Sequence, residues 1–251
     1  MKRRAQVTIF VIIAVVIIAI VGLFFLIRSE KSPFVPGKIE TNPRAFMESC
    51  VEEQMRENIN LVLSQGGFIE PLNYHDFYDG EKDNKVAYLC YTNGKLACVN
   101  QHPMLLSEIS NELKKSIELK VEECFNDFKS SLEKQGYEIT LGENIETKII
   151  LTLGKVYLDI KRDLSVIRNE DTSSIKEMRL TYSSSLYNLA SIANKIVNAE
   201  AQYCYFEPMG YTALYPNYLV LLKRMSDSTK IYYIKDKKTQ EQLNIAIKGC
   251  A

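Results

Sequence analysis

Histidine is scarce in this chain, with only His75 and His102 among 251 residues. A His-Glu-x-x-His zinc set is therefore absent, and neither histidine is spaced with cysteines as zinc ligands are. No Cys-x-x-Cys pair, phosphate-cradling glycine loop or calcium loop occurs, so the sequence points to no metal and no cofactor. Net charge is also lacking. Lysine and arginine total 31, as do aspartate and glutamate. Residues 1–27 hold three bases and no acid, which leaves 28 basic and 31 acidic residues beyond them. A mildly acidic remainder without a basic patch argues against nucleic acid as a partner. No Asn-x-Ser/Thr acceptor is present either.

What the chain does have is one long apolar run. Residues 7–27 carry no charge, and only Thr8 and Gly22 interrupt the Ile, Val, Leu, Phe and Ala. As a helix the run spans about 31 Å, which matches a hydrocarbon core of about 30 Å. Lys2, Arg3 and Arg4 precede it and the mixed Arg28, Glu30 and Lys31 follow, so the N-terminus is expected inside the cell. A cleaved secretory signal would have a shorter apolar region with small residues behind it; here Phe24, Phe25, Leu26 and Ile27 stand there. The expected organisation is a cytoplasmic start and single-pass transmembrane anchor over 1–28, a linker over 29–43, and an extracellular α+β domain over 44–251. The lipid bilayer is the partner of residues 7–27.

Arg4-Ala5-Gln6-Val7-Thr8, ahead of the apolar helix, resembles the processing motif of archaeal type IV pilin-like proteins. The resemblance implies cleavage between Ala5 and Gln6, after which the apolar helix packs in a filament core. Phe10 stands where that family carries a glutamate. The same opening is similar to uncharacterised membrane-anchored proteins of archaea, as are Glu48-Ser49-Cys50-Val51-Glu52-Glu53 and Gln65-Gly66-Gly67-Phe68-Ile69. That resemblance implies location at the cell membrane and no particular activity.

All six cysteines (Cys50, Cys90, Cys98, Cys124, Cys204 and Cys250) lie beyond the anchor, a number normal for an exported domain and high for a cytosolic one. Disulfides are expected. Cys50 and Cys124 fall on the apolar stripes of two helices, so their sulfurs can approach if the stripes face each other. Cys90 and Cys98 flank Asn93-Gly94: a two-residue turn leaves them diagonal, whereas a three-residue loop sets them opposite. Cys204 and Cys250 remain.

Beyond the linker, Asn42 reads as a helix cap with Pro43 at the first position. Met47, Val51, Met55, Ile59 and Val62 form a helical stripe that Gly66-Gly67 ends. Residues 68–84 read as a loop. Residues 85–91 and 95–99 read as a hairpin around Asn93-Gly94. A second helix follows, with its stripe running from Leu106 to Leu132. Residues 137–141, 145–153, 156–166 and 176–182 have strand composition. Residues 185–201 read as a third helix, 218–225 and 230–235 as a strand pair, and 243–247 as a last strand. The strands are expected to be antiparallel, and helices and strands segregate along the chain, which makes the class α+β.

Candidate chemistry is thin. His75-Asp76 is the one His-acid neighbour pair, in the expected loop. Ser131-x-x-Lys134 and Ser173-x-x-Lys176 match serine–lysine spacing without the accompanying motifs. An enzyme is not expected. Tyr203, Tyr205, Phe206, Tyr211, Tyr215 and Tyr218 fall within sixteen residues broken by Pro208, Gly210 and Pro216. Such a segment either presents a binding face, led by Tyr203, Tyr205, Tyr211 and Tyr215, or closes the core and seats Cys204. The expected role is binding or support of an extracytoplasmic protein or other envelope partner, with a pilin-like subunit as the alternative.

Overall fold

The Asn42 side chain accepts hydrogen bonds from the backbone N–H groups of Arg44 (3.0 Å) and Ala45 (3.3 Å) and so opens helix α1 (Pro43–Ser64). The computed structural model describes residues 41–78, 83–168 and 171–250. The expected anchor at 7–27, the Ala5–Gln6 position and residues 29–40 of the linker lie outside the described residues. Among those described, no helix is long and apolar enough to cross a membrane.

Gly66 and Gly67 end α1 with φ of 77° and 106°, a backbone that side chains disfavour. A Cβ on Gly67 would also stand 3.1 Å from Leu105 and Ile109 of helix α2 (Leu105–Glu133). α2 returns antiparallel to α1: Phe46 meets Phe128 at 5.2 Å, and Asn58 donates to Ser116 at 2.9 Å. The stripe from Leu105 to Leu132 is buried against α1 and the sheets.

Two sheets complete the α+β architecture. The first orders β1 (Tyr74–Tyr78), β2 (Asp83–Tyr91), β10 (Gln242–Lys248), β9 (Lys230–Asp236) and β8 (Tyr218–Arg224), with the two-residue β3 (Val99–Asn100) also on β2. The second is centred on β6 (Lys155–Arg168). One edge of β6 pairs with β5 (Glu146–Thr152) and then β4 (Glu138–Leu141); the other pairs along its length with β7 (Asp171–Ser183). The register between β6 and β7 shifts by one residue between Lys161 and Leu164. There Gly142 donates to Asp163 O at 2.7 Å, and Arg162 Nε donates to Gly142 O at 2.9 Å. A bulge thus lies beside the break between β4 and β5.

Helix α3 (Leu186–Tyr203) packs on the inner face of the first sheet, with Leu186, Leu189, Ala193, Ile196 and Val197 buried. Strand alternation divides that sheet between two apolar clusters. Ala87, Leu89, Tyr232, Ile245 and Ile247 face the main core, whereas Phe77, Val86, Tyr88, Ile231 and Ala246 form a smaller one. Phe77 of the β1–β2 hairpin closes the smaller cluster, 5.8 Å from the Tyr233 ring.

Several expectations are corrected. Residues 68–84 are not all loop, because β1 forms there and pairs with β2 from Tyr74↔Ala87 to Tyr78↔Asp83. Asn93-Gly94 does not make a tight hairpin: pairing resumes only at Tyr91↔Val99. The cause lies at the far end of the chain. Thr92 N–H donates to Lys248 O and Cys250 N–H donates to Leu96 O, each at 2.8 Å, so the end of β10 and the residues after it hold this loop by its backbone. β10 itself pairs parallel to β2, so the strands are not all antiparallel. A fourth helix, α4 (Pro208–Leu214), forms within the aromatic segment.

Three disulfides join Cys50 to Cys124, Cys90 to Cys98, and Cys204 to Cys250, leaving no free cysteine. Bridges of this kind suit an oxidising compartment.

Candidate functional site

The aromatic segment begins where α3 stops. Cys204 adopts a left-handed conformation (φ 57°) that turns the chain, and its bridge to Cys250 fixes that turn. Glu207 then caps α4, accepting from Met209 N–H at 3.2 Å, while the Tyr205 hydroxyl donates to the same carboxylate. The Tyr205 bond holds the Glu207 carboxyl below the usual range and raises the Tyr205 phenol. On the other side of α4, Thr212 Oγ1 accepts the Val220 N–H of β8 at 3.1 Å.

The rings step outward from the core. Tyr232 is buried, Phe206 stands edge-on to it at 6.1 Å, Tyr211 lies 5.6 Å from Phe206, and Tyr215 lies 4.6 Å from Tyr211. Lys195 of α3 places its ammonium 5.8 Å and 5.4 Å from the Tyr211 and Tyr215 rings. Burial raises the Tyr211 phenol. The Tyr218 hydroxyl accepts from Asn188 Nδ2 at 2.8 Å. Phe206, Tyr211 and Tyr218 therefore support the segment, and Tyr203, Tyr205 and Tyr215 are its exposed rings.

Two further apolar residues, both of α4, join that exposed set: Met209 is 79% exposed and Leu214 78%, whereas the exposed Leu221 of β8 pairs with Tyr233 on the other face of the sheet. α4 has no fully buried residue. Sequence reasoning missed Met209 and Leu214 because it weighed aromatic rings alone. The helix turns Tyr211 toward Phe206 and the core and leaves Met209 and Leu214 exposed. Lys195 was hidden on the outer side of the α3 stripe.

The other candidate groups are dispersed. His75 stands on β1 rather than in a loop, with Nδ1 3.2 Å from the Tyr88 hydroxyl and 3.9 Å from Asp227 Oδ2, while its neighbour Asp76 is exposed. Ser131 lies on the last turn of α2 and Lys134 caps it. Ser173 and Lys176 are three apart on β7, so they face opposite sides of the strand. A cleft of about 300 Å³ lies between residues 68–73, β2 and the start of α2. Its histidine, His102, is engaged by Glu108 at 2.5 Å and lies tilted against Phe68, with ring centroids 4.5 Å apart. Among the described residues, no group of three or more His, Cys, Asp and Glu side chains could hold a metal. No known protein family, curated protein or solved structure matches this chain.

Proposed function

We propose that this chain is a membrane-anchored extracytoplasmic protein that binds a protein partner at the cell envelope through the face built from the end of α3 and α4. The observation that carries this reading is α4. It has no fully buried residue: Tyr211 packs partly against the core, while Met209 and Leu214 stand exposed in the same segment as Tyr203, Tyr205 and Tyr215. Exposed methionine and leucine among exposed tyrosines match the residue types enriched at protein interfaces. The anchor at 7–27, the basic start and the three disulfides support the extracytoplasmic placement.

A photo-crosslinking side chain placed in the full-length protein in cells tests this. At positions 209, 214 and 215 it should give one discrete adduct, and at Leu119 or Leu153, which are exposed elsewhere, it should give none. No adduct from any of the three, or equal adducts from Leu119, removes the binding reading. Protease added to intact, wall-stripped cells should digest the domain; protection until lysis removes the topology. The pilin-like alternative rests on the resemblance around Ala5 and Gln6, and a mature chain beginning at Gln6 would favour it.

A further inference from the structure

Beneath the aromatic face, one carboxylate and one amine meet in the protein interior. Lys230 Nζ of β9 lies 2.5 Å from Glu200 Oε2 of α3, and the side chains are 5% and 1% exposed. The Tyr232 hydroxyl donates to the other carboxylate oxygen, Oε1. The lysine also donates to the Cys204 carbonyl at 3.0 Å. Burial, with the bond to Glu200, pushes the Tyr232 phenol far up, so the hydroxyl stays a donor.

Water, which stabilises separated charges, is excluded from this site, and burying an ion pair is costly. A single proton shift along the 2.5 Å contact converts ammonium and carboxylate into amine and carboxylic acid. Those are the nucleophile and the electrophile of amide formation. The Tyr232 hydroxyl on Oε1 and the Cys204 carbonyl on the amine flank the pair.

We propose that Lys230 and Glu200 condense to an intramolecular isopeptide bond that joins α3 covalently to β9. The neutral amine attacks Glu200 Cδ after a turn about Cγ–Cδ, a torsion with broad freedom. The Nζ–Cδ bond forms and the Cδ–Oε2 bond breaks. Oε2 departs as water, carrying the acid's own proton and one amine proton. Charge that builds on Oε1 is stabilised by the Tyr232 hydroxyl, a preorganised donor in a site without solvent. Fixed neighbours react with effective molarities of about 10⁵ M or more. The product matches its surroundings. Its one remaining N–H keeps the Cys204 carbonyl as acceptor, its carbonyl keeps the Tyr232 hydroxyl as donor, and no charge remains buried.

The test is peptide mapping of the full-length protein after reduction and alkylation, which removes the nearby Cys204–Cys250 link. Trypsin should fail to cut after Lys230. It should release a branched peptide joining residues 196–223 to residues 225–235, one water lighter than the sum of the two. Lys230→Arg should give no branched peptide, and Tyr232→Phe should lower the bonded fraction at a fixed time after synthesis. The wild-type digest decides alone, whatever the variants do to folding. Linear peptides 196–223, 225–230 and 231–235 at full mass, with no branched fraction in protein held for days, overturn the proposal.

Discussion

The hydroxyls of Tyr88 and Thr229, 141 residues apart in sequence, share a buried hydrogen bond of 2.9 Å. Tyr88 also meets His75, and Thr229 meets Asp227, which in turn accepts from Lys248 Nζ at 3.0 Å. This chain of bonds ties the β1–β2 hairpin to the β8–β9 turn and to the end of β10, along the rim of the smaller apolar cluster. Tyr88→Phe deletes its centre while Thr229 keeps Asp227. Urea unfolding should show a loss of about 1 kcal/mol; an unchanged midpoint would mean that water replaces the tyrosine hydroxyl.

Asp227 gives this region an acid limit. Burial would raise its carboxyl, but the bonds from Lys248 and Thr229 outweigh burial and hold it at about 2. A carboxyl depressed in the folded state stabilises the protein above its unfolded value of about 3.9 and loses that contribution as pH falls toward 2. Asp236, held down against burial by Ser185 and the backbone of Lys238 and Thr239, acts in the same direction. Asp227→Asn should therefore cost about 0.5 kcal/mol at pH 6, discounted for its exposure, and nothing at pH 2. Denaturant midpoints of both proteins across pH 2 to 6 should converge at the acid end. Parallel curves would contradict the assignment.

The bridge between Cys50 and Cys124 closes a separation of 74 residues. In the chain-entropy account such a loop is worth about 4 to 5 kcal/mol, a large part of a typical net stability of about 5 to 15 kcal/mol. Cys50→Ser and Cys124→Ser should each lower stability by a similar amount, and the double substitution by little more, in equilibrium denaturation. Additive losses would show that each cysteine contributes mainly through its own packing.

The tyrosines of the aromatic face should divide by depth. Tyr211 contacts Phe206, Tyr215 and Lys195, so Tyr211→Ala should cost about 2 to 3 kcal/mol through lost packing. Tyr203→Ser and Tyr215→Ser should each stay within about 1 kcal/mol while weakening crosslinking from position 209. If the ranking is reversed in thermal melts, the exposed rings are packing residues.

Gly249 has φ of 149°, and a Cβ there would stand 3.0 Å from the Cys98 backbone nitrogen and from Thr92 Cγ2. Gly249→Ala should push apart β10 and residues 92–98, costing about 2 kcal/mol. Hydrogen exchange should accelerate at Thr92 and Cys250, whose amides bond across this contact. Unchanged exchange there would mean that the loop absorbs the methyl group.

Local chemistry made much of this fold readable. The helical stripe through Met47, Val51 and Met55 and the alternation through β5 and β6 each follow from neighbours a few residues apart. Cys50 and Cys124 sit on two such stripes, which is what brings their sulfurs together. Asn93-Gly94 shows where this reasoning fails. Its dipeptide favours a tight turn, but Lys248 and Cys250 hold this loop by its backbone, and nothing within ten residues announces them. The parallel pairing of Ala246 and Lys248 with β2 is invisible for the same reason. On the candidate face, ring-rich composition located the surface, but only the packing of Tyr211 on Phe206 and the core separated it from the exposed Tyr215.

The order of strands also bears on how the protein is made. β10 lies between β2 and β9, in the middle of its sheet, although it is the last of the described strands to leave the ribosome. Until residue 248 has emerged, β2 has no neighbour on that edge, and Cys204 has no Cys250 to oxidise with. On the proposed extracytoplasmic placement, the domain crosses the membrane open, with four cysteines ahead of Cys204 able to pair first. Nascent chains stalled before residue 242 should remain protease-sensitive and held by chaperones, so the domain matures as one late, concerted event rather than strand by strand during synthesis.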